Sequence, residues 1–229
     1  YFNYHKQLGL WINSIVPPPC RTMRLRSLAI ELSKLKAIDV RKLELEQYQT
    51  EGELAARWIS DIFAFGDIFD GCRVADLGSG NGILGIGAVL AGAESAHLFE
   101  IDAESCSVSE KNVQILGLDD KVKVSKSIVG MDEICSQDFD LVITNPPWGR
   151  QKMWADRPFL ESIISIGSNA HMMHSAEATH VGKFFIKMGW EAERYGESEF
   201  ALPGSFSHHK RRRGVTKAVF WRLTPPKIC

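Results

Sequence analysis

The chain has 229 residues, 45% of them hydrophobic, which is enough for one domain with a full core. Its formal net charge of −1 at pH 7 argues neither for nor against nucleic acid, so that question passes to local patches. Five scattered cysteines without a C-x-x-C pair speak against a zinc site built from them alone and fit a reducing, cytoplasmic compartment.

No stretch is apolar for long enough to span a bilayer. Residues 1–22 read as an N-terminal extension, a poorly ordered tail or a stretch upstream of a native start at Met23. A single domain is expected over 23–229. Leu25, Leu28, Leu32 and Leu35 recur at helical spacing with Arg24, Arg26, Lys34 and Lys36 interleaved, an amphipathic helix with a basic outer face. After a polar–apolar link, Thr50 and Glu53 have the spacing of a capping box for a second helix, which buries Leu54, Trp58, Ile62 and Phe65.

Arg73–Leu77 reads as the first strand, ending in Gly78-Ser79-Gly80-Asn81-Gly82, and a helix follows to Gly92. Ala96–Ile101 is the second strand, and Asp102 caps a helix over 103–116. Val122–Val124 and Phe139–Thr144 are the next strands. Then come a helix over 159–166, a strand over 171–175 and a helix over 181–188. Two further strands, 190–200 and 215–223, suggest an antiparallel edge. This alternation predicts an α/β, Rossmann-like doubly wound sheet, mostly parallel.

Chemistry gathers at strand ends. Glycines 78, 80 and 82 allow a tight turn and close approach of a ligand to the main chain. Position 83 is Ile, so the dinucleotide fingerprint fails by one residue, and no basic residue stands near to meet a phosphate. An uncharged nucleoside fits better. Asp76 is placed to orient the loop or to meet a cationic ligand. Glu100 ends the second strand, where a carboxylate accepts hydrogen bonds from two ribose hydroxyls. Asn145-Pro146-Pro147-Trp148 follows the fourth strand, a proline-stiffened element with an amide and a flat apolar face, suited to a planar amine. His171, His174 and His180 fall across a strand and a loop, which favours packing or surface roles over a metal site. The tract His208-His209-Lys210-Arg211-Arg212-Arg213 is the one concentrated basic stretch, a grip for RNA phosphates or a solvated loop.

The glycine turn, the acid after the second strand and Asn-Pro-Pro-aromatic resemble the class I S-adenosylmethionine-dependent methyltransferases. Leu45-Glu46-Gln47-Tyr48-Gln49-Thr50, Asp76–Gly82, Phe99–Asp102, Asn145–Gly149 and Leu202-Pro203…His209-Lys210 stand in the order of the methyltransferase-like-five family. That family comprises ribosomal-RNA adenine-N6 methyltransferases and archaeal relatives. The resemblance implies S-adenosyl-L-methionine as cofactor, with contacts at Gln47, Thr50, Gly78, Asn81, Ile83 and Glu100. Ser127 stands where the family has an Asp for the cofactor adenine, and Trp148 where it has Phe. A small zinc-binding activator protein is implied as partner. In the expected reaction the Asn145 side-chain oxygen and the Pro146 carbonyl orient an adenine amine, and Trp148 stacks on the base. The rivals are a protein glutamine-N5 methyltransferase and a non-catalytic RNA-binding protein with a vestigial cofactor pocket.

Overall fold

Short apolar strands alternate with helices along the chain, and they assemble into one seven-stranded sheet. The computed structural model describes residues 24–39, 46, 50–132, 134, 138–149, 151–202 and 214–227. The extension 1–22, Gln47, and His209, Lys210, Arg211, Arg212 and Arg213 lie outside the described residues. In order the elements are α1 (Leu25–Ser33), α2 (Gly52–Ala64), β1 (Arg73–Leu77), α3 (Ile83–Ala91), β2 (Ser95–Glu100), α4 (Ala103–Ile115), β3 (Val122–Lys126) and β4 (Leu141–Thr144). They continue with α5 (Arg157–Ile166), β5 (Asn169–Ser175), α6 (His180–Lys187), β6 (Glu191–Leu202) and β7 (Gly214–Thr224).

The strand order is β3-β2-β1-β4-β5-β7-β6. The first five are parallel, and β7 and β6 close the sheet as an antiparallel pair. The chain builds outward from β1 through β2 to β3, then crosses to β4 on the other side. An open α/β sheet leaves its ligand crevice at that reversal, beyond the carboxyl ends of the strands. Leu77 lies opposite both Phe99 and Thr144, so Gly78, Glu100 and Asn145 leave the sheet at one level.

Alternation along the strands divides the core. Val74, Leu98 and Ile143 pack with Leu28 and Leu32 of α1, Trp58 and Ile62 of α2, and Ile86 of α3. Ala75, Val142 and Met172 face the other way, toward Leu160 and Ile163 of α5 and Val181 and Phe185 of α6. The second helix departs from its predicted start and face. It begins at Gly52 with Glu51 as N-cap and no side-chain capping bond, so the Thr50–Glu53 capping box does not form. Phe65 is its C-cap and 36% exposed, packed edge-on against Tyr195 rather than in the core.

Candidate active site

The strand ends enclose a cavity of about 360 Å³, within the range of small-molecule sites. Of the residues singled out in the sequence, Thr50, Gly78, Gly80, Asn81, Ile83, Glu100, Ser127, Asn145, Pro146 and Pro147 all line it.

The glycine turn is stitched to its neighbours. The N–H groups of Gly78 and Ser79 donate to the Phe99 carbonyl at 2.9 and 3.1 Å. Gly80 N–H donates to Oε2 of Glu100 at 2.8 Å, and Asp102 N–H to Oε1 at 2.9 Å. Gly78 has φ +70°, and a Cβ there would meet the Phe159 ring at 2.9 Å, so both backbone and space demand glycine. Glu100 is 5% exposed. Burial pushes its carboxyl above the ordinary range, and the backbone donors partly counter this. A carboxylate offers about four acceptor positions, so a neighbouring diol still finds room on it.

On the opposite wall Asn145 is held between two partners. Its Nδ2 donates to Oγ1 of Thr50 at 3.3 Å, and its Oδ1 accepts the Trp148 indole N–H at 3.1 Å. Without a capping role, the Thr50 hydroxyl is available for this bond. Asn81 closes a third side, with Nδ2 donating to the Lys36 carbonyl at 3.0 Å. Asn112 accepts the Lys36 N–H at 2.8 Å, so this pair of amides pins the chain that brings Ile38 over the cavity.

Three expectations need correction. Trp148 does not offer its face to the cavity. It is 7% exposed, with its ring 4.9 Å from Phe200 and stacked on His174 at 6.1 Å. Asp76 is fully buried on the α3 side because it shares a face of β1 with Val74. Its Oδ2 accepts the Gly85 N–H at 2.8 Å, so it holds the first turn of α3 and does not line the cavity. Gly82 is the N-cap of α3 with φ +84°, and it faces Leu98 and Ile86. Ser127 does reach the cavity, and its hydroxyl donates to Oδ2 of Asp132 at 3.0 Å.

Sequence reasoning missed Glu46. Its buried carboxylate accepts the Trp148 N–H at 2.8 Å and the Gln151 N–H at 2.6 Å, and it lines the same cavity. Its only sequence signal was membership of the Glu-Gln-Tyr element, since its partners lie about 100 residues away and are main-chain groups.

Asp156, His174 and His180 place donor atoms within 4.8 Å of one another, a spacing that an ion could use. The hydrogen bonds argue otherwise. Nδ1 of His174 accepts the Ser175 N–H at 2.9 Å, so its proton sits on Nε2 and points at Asp156. A metal on Nε2 would force a proton onto Nδ1, against that N–H. The trio is a hydrogen-bonded prop.

Residues 66–179 match the family described as methyltransferase small domain. An uncharacterized protein of Methanocaldococcus jannaschii is 31% identical over 211 residues, 88% of this chain and 94% of that one. The rRNA N(6)-adenosine-methyltransferase METTL5 of Danio rerio is 29% identical over 206 residues, 89% of this chain and 100% of that one. A crystal structure from Pyrococcus horikoshii, named as a candidate RNA methyltransferase, superposes with a TM-score of 0.80 at 32% identity, covering 90% of this chain and 100% of that one. Sheet order, cavity and these likenesses agree: the chain belongs to the class I S-adenosylmethionine-dependent methyltransferases of the methyltransferase small-domain family, and within them it resembles METTL5.

Proposed function

We propose that this chain methylates the N6 amino group of an unpaired adenosine in ribosomal RNA. One observation carries the reading. Asn145 and Pro146 stand on the wall of the same cavity that holds Glu100 and the glycine turn, so acceptor and donor groups share one space. The naming of the Danio rerio relative supports adenosine N6 as the acceptor.

The cavity fits the cofactor on its own chemistry. Glu100 keeps acceptor capacity for a ribose diol, and the buried Ser79 hydroxyl beside it has no hydrogen-bond partner among the described residues. Ile83, Leu84 and Phe99 supply apolar wall for a base. The residues expected to hold the group are Thr50, Gly78, Asn81, Glu100 and Ser127. When bound, S-adenosylmethionine supplies an electrophilic methyl on a sulfonium centre.

The chain's own contribution is alignment. An exocyclic adenine amine is a weak nucleophile because its lone pair is delocalised into the ring. Asn145 Oδ1 spends one lone pair on Trp148 and retains the second for one N–H of the amine. The Pro146 carbonyl is the acceptor for the other. Two acceptors turn the nitrogen lone pair into the cavity, and the spare proton leaves after the N–C bond forms. A base stacked within a helix cannot enter, so the target is unpaired or flipped out.

The experiment incubates the protein with labelled cofactor and ribosomal RNA, then digests to nucleosides. Label in N6-methyladenosine is expected; label only in protein would shift the acceptor to a side-chain amide. A small zinc-binding activator belongs to the same proposal, tested by whether co-expression raises soluble yield and activity. A cytoplasmic place of action is proposed from the scattered cysteines, of which Cys72 and Cys106 are free and buried. No helix among the described residues is long and apolar enough to cross a membrane.

A further inference from the structure

Burying Trp148 withdraws from the cavity the aromatic face that the sequence pattern assigns to a flipped base. Another tryptophan stands there. Trp154 lines the same cavity as Asn145, Pro146 and Pro147, and it is 58% exposed. It sits in the segment between Gly149 and α5 with φ +64°, a left-handed backbone that a bulky residue rarely adopts. Strain of this kind concentrates where a side chain must be aimed. An exposed indole on a strained backbone has no evident structural gain of its own.

The segment behind it is braced to hold that aim. The rings of His180 and Trp154 meet in a T-shaped contact at 5.8 Å, and His180 is in turn bonded to Asp156. Asp156 is 2% exposed and also takes the His174 proton. Burial alone would raise the Asp156 carboxyl, but its bonds to His174 and His180 hold it below the ordinary range. The prop therefore holds Trp148 through His174 and Trp154 through His180, one tryptophan inside the fold and one at its mouth.

We propose that Trp154 is the stacking platform for the acceptor base, in the place that the sequence pattern assigns to Trp148. The inference rests on the reading of the chain as an RNA adenine methyltransferase, and it names the residue that grips the base. Stacking on one indole face accepts any planar nitrogenous base, so Trp154 provides affinity while Asn145 and Pro146 select for an exocyclic amine.

The test compares wild type with Trp154→Ala and Trp154→Phe in two assays. The first is methyl transfer to ribosomal RNA, read as KM for RNA and as kcat. The second is equilibrium binding of a short single-stranded RNA containing one adenosine, which needs no turnover. Trp154→Ala should weaken RNA binding and raise KM about tenfold, as expected for loss of one stacking contact. Its affinity for S-adenosylmethionine, measured by calorimetry, should match wild type, and Trp154→Phe should recover most of the loss. Unchanged RNA binding in Trp154→Ala would overturn the inference, as would equal losses of cofactor and RNA affinity. If wild type binds the RNA through Trp154 yet methylates none, the inference stands and the proposed reaction falls.

Discussion

The indole N–H of Trp148 donates to Oδ1 of Asn145 at 3.1 Å, and this decides how the Asn145 amide is turned. An indole nitrogen is only ever a donor, so the atom it meets must be the amide oxygen. Trp148 thus positions the Asn145 amide, the group proposed to receive the substrate amine. A phenylalanine at 148 would keep an aromatic ring beside Phe200 and His174 without supplying that bond.

Trp148→Phe is therefore expected to keep the fold and the cofactor affinity and to lower kcat. Losing one neutral hydrogen bond costs about 1 kcal/mol, or roughly fivefold in rate. Asn145→Ala removes the acceptor itself, and transfer should fall below detection while cofactor binding stays near wild type. Calorimetry beside single-turnover rates separates these outcomes. Parallel loss of both in Asn145→Ala would place Asn145 on the cofactor.

Glu46 clamps the same loop from outside. It has φ +47° and places both carboxylate oxygens on backbone N–H groups, those of Trp148 and Gln151. Bonds to a charged acceptor are roughly twice as strong as neutral ones. Glu46→Gln keeps the shape but turns an N–H donor toward a main-chain donor. We expect kcat to fall about tenfold or more, with a smaller change in cofactor affinity. Faster amide hydrogen exchange at Trp148 and Gln151 is the signature; exchange at the wild-type rate would remove Glu46 from this role.

The parts of the site legible in the sequence share a physical property. Gly78, Glu100 and Asn145 announce themselves because each sits directly after an apolar strand, and parallel strands deliver their ends to one side of the sheet. Trp148 misled because its sequence neighbours show where the main chain goes but not where a ring turns. Phe200 and His174, which receive that ring, come from β6 and β5. Glu46, Asn112 and Asp156 were hidden for a related reason. Their partners are backbone amides or histidines brought close by the fold, and no periodicity records such meetings. Thr50–Glu53 shows the converse, a local motif overruled when the Thr50 hydroxyl took a tertiary partner.

Asp76 should give the fold a pH dependence of its own. Burial lifts its carboxyl to about 7, only partly offset by the Gly85 N–H, and Oδ1 has no partner among the described residues. The folded state thus holds the proton more tightly than the unfolded state, whose value is the ordinary 3.8. Between these two values the folded chain carries more bound proton, so stability falls as pH rises, and it levels off above about 7. Asp76→Asn keeps an acceptor for Gly85 and cannot ionise. It should be more stable than wild type at pH 8, by on the order of 1–3 kcal/mol, and should lose that advantage near pH 4. Urea melts of both proteins across this range measure it. A difference independent of pH would mean that Asp76 is not the titrating group.

At the opposite end of β5, Asp67 organises a buried polar chain. Its Oδ2 accepts from Nε2 of His171 at 2.9 Å and Nε of Arg222 at 2.7 Å. Its Oδ1 accepts from Nη2 of Arg222 at 3.0 Å and Nδ2 of Asn169 at 2.9 Å. Every proton in the chain is determined by one donor-only end. The Trp58 indole donates to the Tyr195 hydroxyl at 2.7 Å, so Tyr195 donates onward to Nδ1 of His171. His171 is then left with a proton on Nε2 for Asp67, and burial keeps its ring below the ordinary histidine value. The bulge between Arg194 and Gly196 on β6 lies at Tyr195, which reaches both partners. Burial would raise the Asp67 carboxyl, but the His171 and Arg222 bonds outweigh it and hold the group far below the usual range. A depressed folded-state value means that this stabilisation is present above about pH 4 and drains away as pH falls further. Asp67→Asn should cost about 2–3 kcal/mol at pH 7, less than a fully buried pair because Arg222 is 27% exposed. For a chain of this size that is a fall in Tm of roughly 4–12 °C. Activity per folded molecule should hold, since Asp67 does not line the cavity. As pH falls below 4 the gap between variant and wild type should narrow progressively, because the unfolded wild type then takes up a proton that its folded state still refuses.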